Sequence, residues 1–207
     1  VKVNYGVHFV FVTEATTQKR GVWIVMLNEG NFDPKKYETL VRMRDGRTVL
    51  LRPIRPEDEP LWLEMFQNFS EESVRYRFFH IIKDTPHEMR ARYCNIDYDK
   101  EIGIVAELEE EGRRKILGVV RLIIEADGKN GEIAFIVADP WQGLGLGSKM
   151  VDHMIEICKD RGLETIYALT LPNNYRAIRL LKKRGFTIQY INDEAKATLN
   201  LKDKEQK

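Results

Sequence analysis

Cysteine is scarce in this 207-residue chain, which holds only Cys94 and Cys158. The two offer neither the spacing of a thiolate metal knuckle nor a disulfide framework. A zinc centre and the stapled folds of small secreted domains are therefore excluded, no metal is expected, and a reducing cytoplasm is the expected compartment. Long apolar runs are missing as well. No stretch approaches the ~18 residues that cross a bilayer as a helix, and the apolar start lacks the flanks of a signal peptide. Neither sign of charge dominates, with 33 Lys plus Arg against 32 Asp plus Glu. That balance excludes a chain dedicated to nucleic acid and leaves room only for local basic patches. What remains is the composition of a globular protein, 43% hydrophobic and 31% charged, in a length that suits one domain with or without an appendage. The chain opens on Val1 rather than Met, as expected of a processed chain or one excised from a longer protein.

Residues 1 to 46 are expected to form an appendage. Val7 to Val12 and Val22 to Leu27 are β-branched and aromatic runs around a polar link, the pattern of a hairpin with a long loop, and Asn28 to Lys36 reads as a linker. His8 has no second ligand nearby. The domain proper is expected from residue 47 to 207. Thr48 to Arg52 reads as a strand, Pro56 opens a helix, Ser70 to Phe79 forms a second, and Thr85 to Cys94 a third. Ile102 to Glu109, Ile116 to Glu125 and Glu132 to Ala138, separated by glycine turns, read as an antiparallel meander. Leu146 to Arg161 is an amphipathic helix with Leu146, Met150, Val151, Met154, Ile155 and Cys158 on its buried stripe. Ile166 to Leu171, Asn173 to Arg184, Thr187 to Ile191 and Lys196 to Leu201 continue as strand, helix, strand and strand. The fold class expected is α/β (α+β), with a mixed sheet.

The sharpest local pattern is Gln142-Gly143-Leu144-Gly145-Leu146-Gly147-Ser148, between a strand and a helix. Glycines allow a tight turn and close approach of a ligand, and the helix start presents unpaired N–H groups to an anion such as a pyrophosphate. A Walker loop needs GxxxxGK followed by Ser or Thr, and here Ser148 precedes Lys149. A dinucleotide loop belongs in the first βα unit, whereas this one follows several strands. A strand-to-helix turn without ligand is the plain alternative. A third phosphate pattern does fit: Gln or Arg, two residues, Gly, one residue, then Gly or Ala.

That third pattern is the loop of the GNAT acetyltransferases, and from about Thr48 to Leu201 the chain resembles a complete GNAT domain. Leu51 to Asp58 is similar to the family's first strand and helix entry. Asn174 to Ile178, with Arg184-Gly185-Phe186, is similar to the late helix that packs on coenzyme A. Ser70 to Ser73 running to Phe79, Ile96 to Asp99, and Leu169 to Asn174 resemble the bacterial protein-lysine acetyltransferases in particular, whose members modify acyl-CoA synthetases. The resemblance implies a mostly antiparallel sheet with helices on both faces, and acetyl-CoA as cosubstrate. It implies a binding site of Phe135, Ile136 and Val137 on the strand, Gln142, Gly143, Leu144, Gly145, Leu146, Gly147 and Ser148 in the loop, and Asn174. The strand would pair its main chain with pantetheine, which needs geometry rather than particular side chains.

The same resemblance makes Glu132 the general base. By alternation Glu132 shares a strand face with Ala134, Ile136 and Ala138, and an acid on an apolar face is expected to ionise at a raised pH. The plain reading is a strand-end glutamate facing water. One departure from the family stands out: many members carry a tyrosine, the proposed acid, where this chain has Leu181. Tyr175 and Tyr76 could stand in, but no general acid is assigned. The expected reaction is acetylation of a primary amine, most directly a protein lysine, with no nucleic-acid or membrane partner. A small-amine acetyltransferase and a catalytically silent acyl-CoA-binding module are the alternatives.

Overall fold

A computed structural model describes residues 33–202. The expected hairpin between Val7 and Leu27, His8, and most of the linker lie outside the described residues. Eight strands form one sheet: β1 Thr39–Arg42, β2 Thr48–Pro53, β3 Glu101–Glu110, β4 Arg113–Ile124, β5 Asn130–Val137, β6 Thr165–Thr170, β7 Thr187–Ile191 and β8 Glu194–Asn200. Five α-helices accompany it: α1 Glu59–Gln67, α2 Glu71–Phe78, α3 His87–Cys94, α4 Leu146–Asp160 and α5 Tyr175–Lys182. The spatial order is β1-β2-β3-β4-β5-β6-β8-β7, and every neighbouring pair is antiparallel except β5 with β6. The mixed, mostly antiparallel sheet is as expected. No described helix is long and apolar enough to cross a membrane.

Strand alternation sorts the core into two layers. On β3, Ile104 and Ala106 join a cluster with Met150, Val151, Met154 and Cys158 of α4, while Val105 between them joins Trp62, Met65, Phe66, Val74 and Phe78 of α1 and α2. All six residues of the expected α4 stripe are buried. On α1, Trp62, Met65 and Phe66 sit three and four apart and so share one face. Trp62 stacks on Phe66 and on Tyr93 of α3, each at 5.4 Å between centroids. Residues 37 to 46, read from the sequence as the end of an appendage, join this domain. β1 pairs with β2 from Thr39↔Leu51 to Arg42↔Thr48, and Tyr37 and Met43 are buried in the α4-side cluster.

One buried ionic cluster anchors β2 to the entry of α1. Arg52, 1% exposed, donates to both carboxylate oxygens of Asp58 at 2.7 Å each and to Glu107 on β3. Asp58 also accepts from the Arg55 main-chain N–H at 2.8 Å, which fixes the turn into α1. A planar guanidinium with five donors is the side chain suited to holding two carboxylates away from water. Arg52→Ala leaves the buried Asp58 without its cation and Glu107 with only Arg114, 3.8 Å away. The expected loss is about 3–5 kcal/mol of unfolding free energy, read from urea midpoints at unchanged slope. A loss under about 1 kcal/mol would show that solvent reaches the cluster and relieves it.

Candidate active site

The single parallel pairing sets the geometry. β5 and β6 are in register only at Asn130↔Thr165, Gly131↔Ile166 and Glu132↔Tyr167. Beyond that point β5 keeps its partner β4 as far as Gly118↔Val137, and β6 keeps β8 as far as Thr170↔Ala195. The two strands therefore part immediately after Glu132, and a cleft of about 800 Å³ opens between them. Its walls are Ile133 to Val137 of β5, Ala168 to Thr170 of β6, the glycine loop, α2 and α5.

The cleft gathers most of the residues singled out from sequence: Glu132, Phe135, Ile136, Val137, Gln142, Gly143, Gly145, Gly147, Ser148 and Asn174 all line it. Leu144 and Leu146 do not. Leu146 is 1% exposed and Leu144 packs against the same core cluster, so anything these two offer a ligand comes from their main chain. Gly143 and Gly145 have φ of 78° and 85°, the left-handed region where glycine carries no side-chain penalty. Gly145 caps α4, so the loop delivers the free amides of the helix start to the mouth of the cleft.

Glu132 faces the α1–α3 side with Ile136 and Ala138, both buried there, as alternation required. Its surroundings are charged as well as apolar. Arg77 of α2 lines the same cleft. Burial holds the Arg77 guanidinium below the ordinary arginine range, and Arg121 pushes the same way, while Tyr93, Glu132 and Glu101 oppose. Arg121, 4% exposed, pairs with Glu101 and donates to the Tyr93 carbonyl. Tyr167, level with Glu132 on β6, has its phenol pushed well up by burial, by a hydrogen bond with Glu125 and by the Glu132 charge.

Several cleft contacts bind elements far apart in the chain and were invisible in the sequence. Asp139 accepts from Ser70 N at 3.0 Å, Ser70 Oγ at 2.8 Å and Ser73 Oγ at 3.1 Å, tying the start of α2 to the end of β5. The Gln142 amide donates to Ser73 Oγ at 3.1 Å and to the Val137 carbonyl at 3.0 Å, and accepts from Arg176 at 2.9 Å. Tyr76 donates to Glu72 at 3.0 Å and reaches the Asn173 carbonyl at 3.4 Å. Burial and Glu72 both raise the Tyr76 phenol above its usual range. Asn174 caps α5 by accepting from Ala177 N at 3.2 Å, and donates to Thr170 Oγ1 at 2.9 Å. Phe79, which ends α2 at φ 63°, also lines the cleft. Tyr175 is 76% exposed, and Leu181 is 1% exposed, buried in the core beside the cleft.

A family model described as acetyltransferase (GNAT) family matches residues 62–186. The acetyltransferase PA5475 of Pseudomonas aeruginosa is 30% identical over 152 residues, which is 73% of this chain and 81% of its own length. Acetyltransferase Pat of Mycolicibacterium smegmatis is 25% identical over 146 residues, 70% of this chain but only 43% of that longer relative. The crystal structure of the GNAT domain of S. lividans PAT is similar at TM-score 0.74 and 26% identity, covering 82% of this chain and 99% of that one. A strand pair that parts beside a glycine loop, the family match and these relatives agree: the chain belongs to the acetyltransferase (GNAT) family and is an acyl-CoA-dependent N-acetyltransferase.

Proposed function

We propose that this enzyme transfers the acetyl group of acetyl-CoA to the Nε of a lysine on a folded protein such as an acyl-CoA synthetase, with Glu132 as general base. The observation that carries the reading is the end of the β5–β6 pairing at Glu132. It puts a carboxylate at the apex of a cleft whose long wall is unpaired strand and whose mouth is the glycine loop. A peptide-like pantetheine arm can pair with such a wall, and a pyrophosphate can sit on the amides from residue 142 to 148.

The chemistry has one main obstacle. A lysine with an unperturbed pKa near ~10.4 costs about 4–5 kcal/mol to deprotonate at pH 7. Glu132 takes that proton, directly or through a water, and the freed lone pair attacks the thioester carbonyl. The tetrahedral intermediate gives up the second proton of its nitrogen to water or to the departing sulfur as the carbon–sulfur bond breaks and the electron pair leaves with sulfur. A thiol with a pKa near ~8.5 is a good enough leaving group to depart as thiolate, so the apolar Leu181 is tolerated where the family pattern has a tyrosine. The acceptor side supports a protein substrate. Glu71, Glu72 and Arg75 are exposed on α2, with Asp84 exposed and His80 half-buried in the loop that follows. Ile81 beside them is 50% exposed. Mixed charge with an apolar contact suits a protein surface, whereas a polyamine would favour a uniformly acidic rim. The likeness to Pat and to the S. lividans PAT domain points the same way. The buried thiols Cys94 and Cys158 suit the cytoplasm proposed for it.

Three outcomes are expected. Gly145→Val places a β-branched residue at a φ of 85° and should abolish coenzyme A binding in calorimetry. Unchanged affinity would remove the loop from the site. Glu132→Gln should still bind acetyl-CoA but turn over roughly 10²–10⁴-fold more slowly, whereas normal turnover at neutral pH would require another base. Labelled acetyl-CoA offered alongside a purified synthetase, free lysine, spermidine and an aminoglycoside should label the synthetase. Efficient labelling of a small amine and no protein would reassign the acceptor and leave the acetyl-CoA site untouched.

A further inference from the structure

The turn between β1 and β2 lies before the residues that the family model matches, yet it packs on the glycine loop. Arg44 N donates to the Leu144 carbonyl at 3.0 Å. The Arg44 side chain runs along the loop, with Cγ and Nε 3.5 Å from where a Cβ of Gly145 would stand. Its Nη1 reaches the Gly143 carbonyl only at a long 3.4 Å. Arg44 also lines the cleft.

The turn is held firmly while this guanidinium is not. Met43 is buried, 4% exposed, and its N–H donates to the Arg47 carbonyl at 2.8 Å. The Arg47 guanidinium lies over the Trp141 ring at 4.4 Å from its centroid, on the segment leading into the glycine loop. Asp45 belongs to Arg47, at 2.5 Å, and that contact holds its carboxyl below the usual range. Arg44 is therefore the uncompensated charge of the turn. Across the loop, Arg176, Arg179 and Lys183 of α5 and its end also line the cleft. Nearby carboxylates are engaged elsewhere, Asp152 with Arg184 at 2.7 Å and Asp139 with Ser70 and Ser73. Among the described residues, none of these four cations has a carboxylate within 4.0 Å.

A cation on a fixed turn, weakly held by a carbonyl, beside a row of helix-start amides, is placed for a phosphate. We propose that Arg44 contacts the pyrophosphate of the acyl-CoA substrate, so that the segment ahead of the matched domain completes the coenzyme site. The inference rests on the acetyl-CoA reading above. Arg44 would close the outer side of the loop by exchanging its long bond to Gly143 for a charge-assisted one, and α5 would face it from the other side.

The test measures binding of coenzyme A and 3′-dephospho-coenzyme A by calorimetry, and of pantetheine by NMR titration, to wild type, Arg44→Ala and Arg44→Lys. The expected result is a loss of about 10- to 100-fold in Arg44→Ala for both phosphate-bearing ligands, the usual scale of a hydrogen bond to a charged group, with pantetheine unaffected. Arg44→Lys should recover part of the loss, and the Arg44→Ala deficit should shrink with added salt. A loss for coenzyme A but not for its dephospho form would move the contact to the 3′-phosphate and overturn the assignment. An equal loss for pantetheine would make Arg44 a strut of the loop and overturn it too, as would no loss at all. Failure of the wild type to bind coenzyme A would instead sink the acetyl-CoA reading, and this inference with it.

Discussion

Everything about this site depends on two neighbouring strands that pair for three residues and then stop. A sheet cannot ordinarily be split in its middle, because each unpaired N–H and C=O left away from water costs about as much as a lost hydrogen bond. Here the split is tolerable because each half is complete without the other. β5 is held by β4 over its whole length after Asn130, and β6 is held by β8 over all six residues. Only one edge of each strand is left open, and that edge faces a cleft rather than a packed core. At Val137 a side chain already fills the gap, since the Gln142 amide donates to its carbonyl at 3.0 Å. That amide stands in for a neighbouring strand, and the remaining edge is left with the main-chain groups that a peptide-like chain could pair.

The split would widen or close without something to hold its lips, and α2 does this from one side. Asp139 fixes the start of α2 to the end of β5, and Tyr76 reaches across to Asn173 at the end of β6. Gln142 and Arg176 complete the tie to α5. None of these bonds is strong alone. Together they fix the width of the cleft with the same helix that presents Arg77 toward the Glu132 end. The α2 wall and the glycine-loop wall of the cleft are therefore coupled, and a change in α2 would be felt at both.

The sequence revealed what is local and periodic. Alternation placed Glu132 with Ile136 and Ala138, the helical spacing of Leu146 to Cys158 gave the α4 stripe, and alternating glycines gave a loop that needs positive φ at two positions. Pairing over long separations carried no such mark. β1 was missed because four residues of alternating half-burial, between Tyr37 and the Asp45-Gly46 turn, carry no strand signature and fell within the appendage read for residues 1 to 46. With β1 unseen, its neighbour turn had no visible relation to the cleft, so Arg44 and Arg47 stayed invisible. The ties through Asp139, Gln142 and Tyr76 join residues that lie up to 97 positions apart, and nothing in their neighbours' identities announces them. The apolar-face reading for Glu132 also omitted Arg77 and Arg121, which arrive from α2 and β4.

Charge is distributed unevenly along the cleft, and that unevenness carries directional information. At the glycine-loop end the uncompensated cations Arg44, Arg176, Arg179 and Lys183 set a positive field, reinforced by the helix-start amides. At the β5–β6 junction Glu132, Glu101, Arg77 and Arg121 alternate in sign and largely cancel. An elongated anionic acyl carrier drawn into such a cleft would settle with its phosphates at the positive end, leaving its uncharged thioester arm to run toward Glu132. A lysine ammonium is subject to the opposite bias. The positive end would repel it, while α2 offers both signs, with Glu71 and Glu72 exposed beside Arg75, so a lysine carried on a mixed-charge protein surface would approach there. On the proposed reaction, two substrates of opposite charge would be sorted to opposite ends by the same field and would meet where it is weakest. On the proposed chemistry, the reacting amine would lose its charge to Glu132 there, with the least electrostatic resistance from the remainder of the cleft.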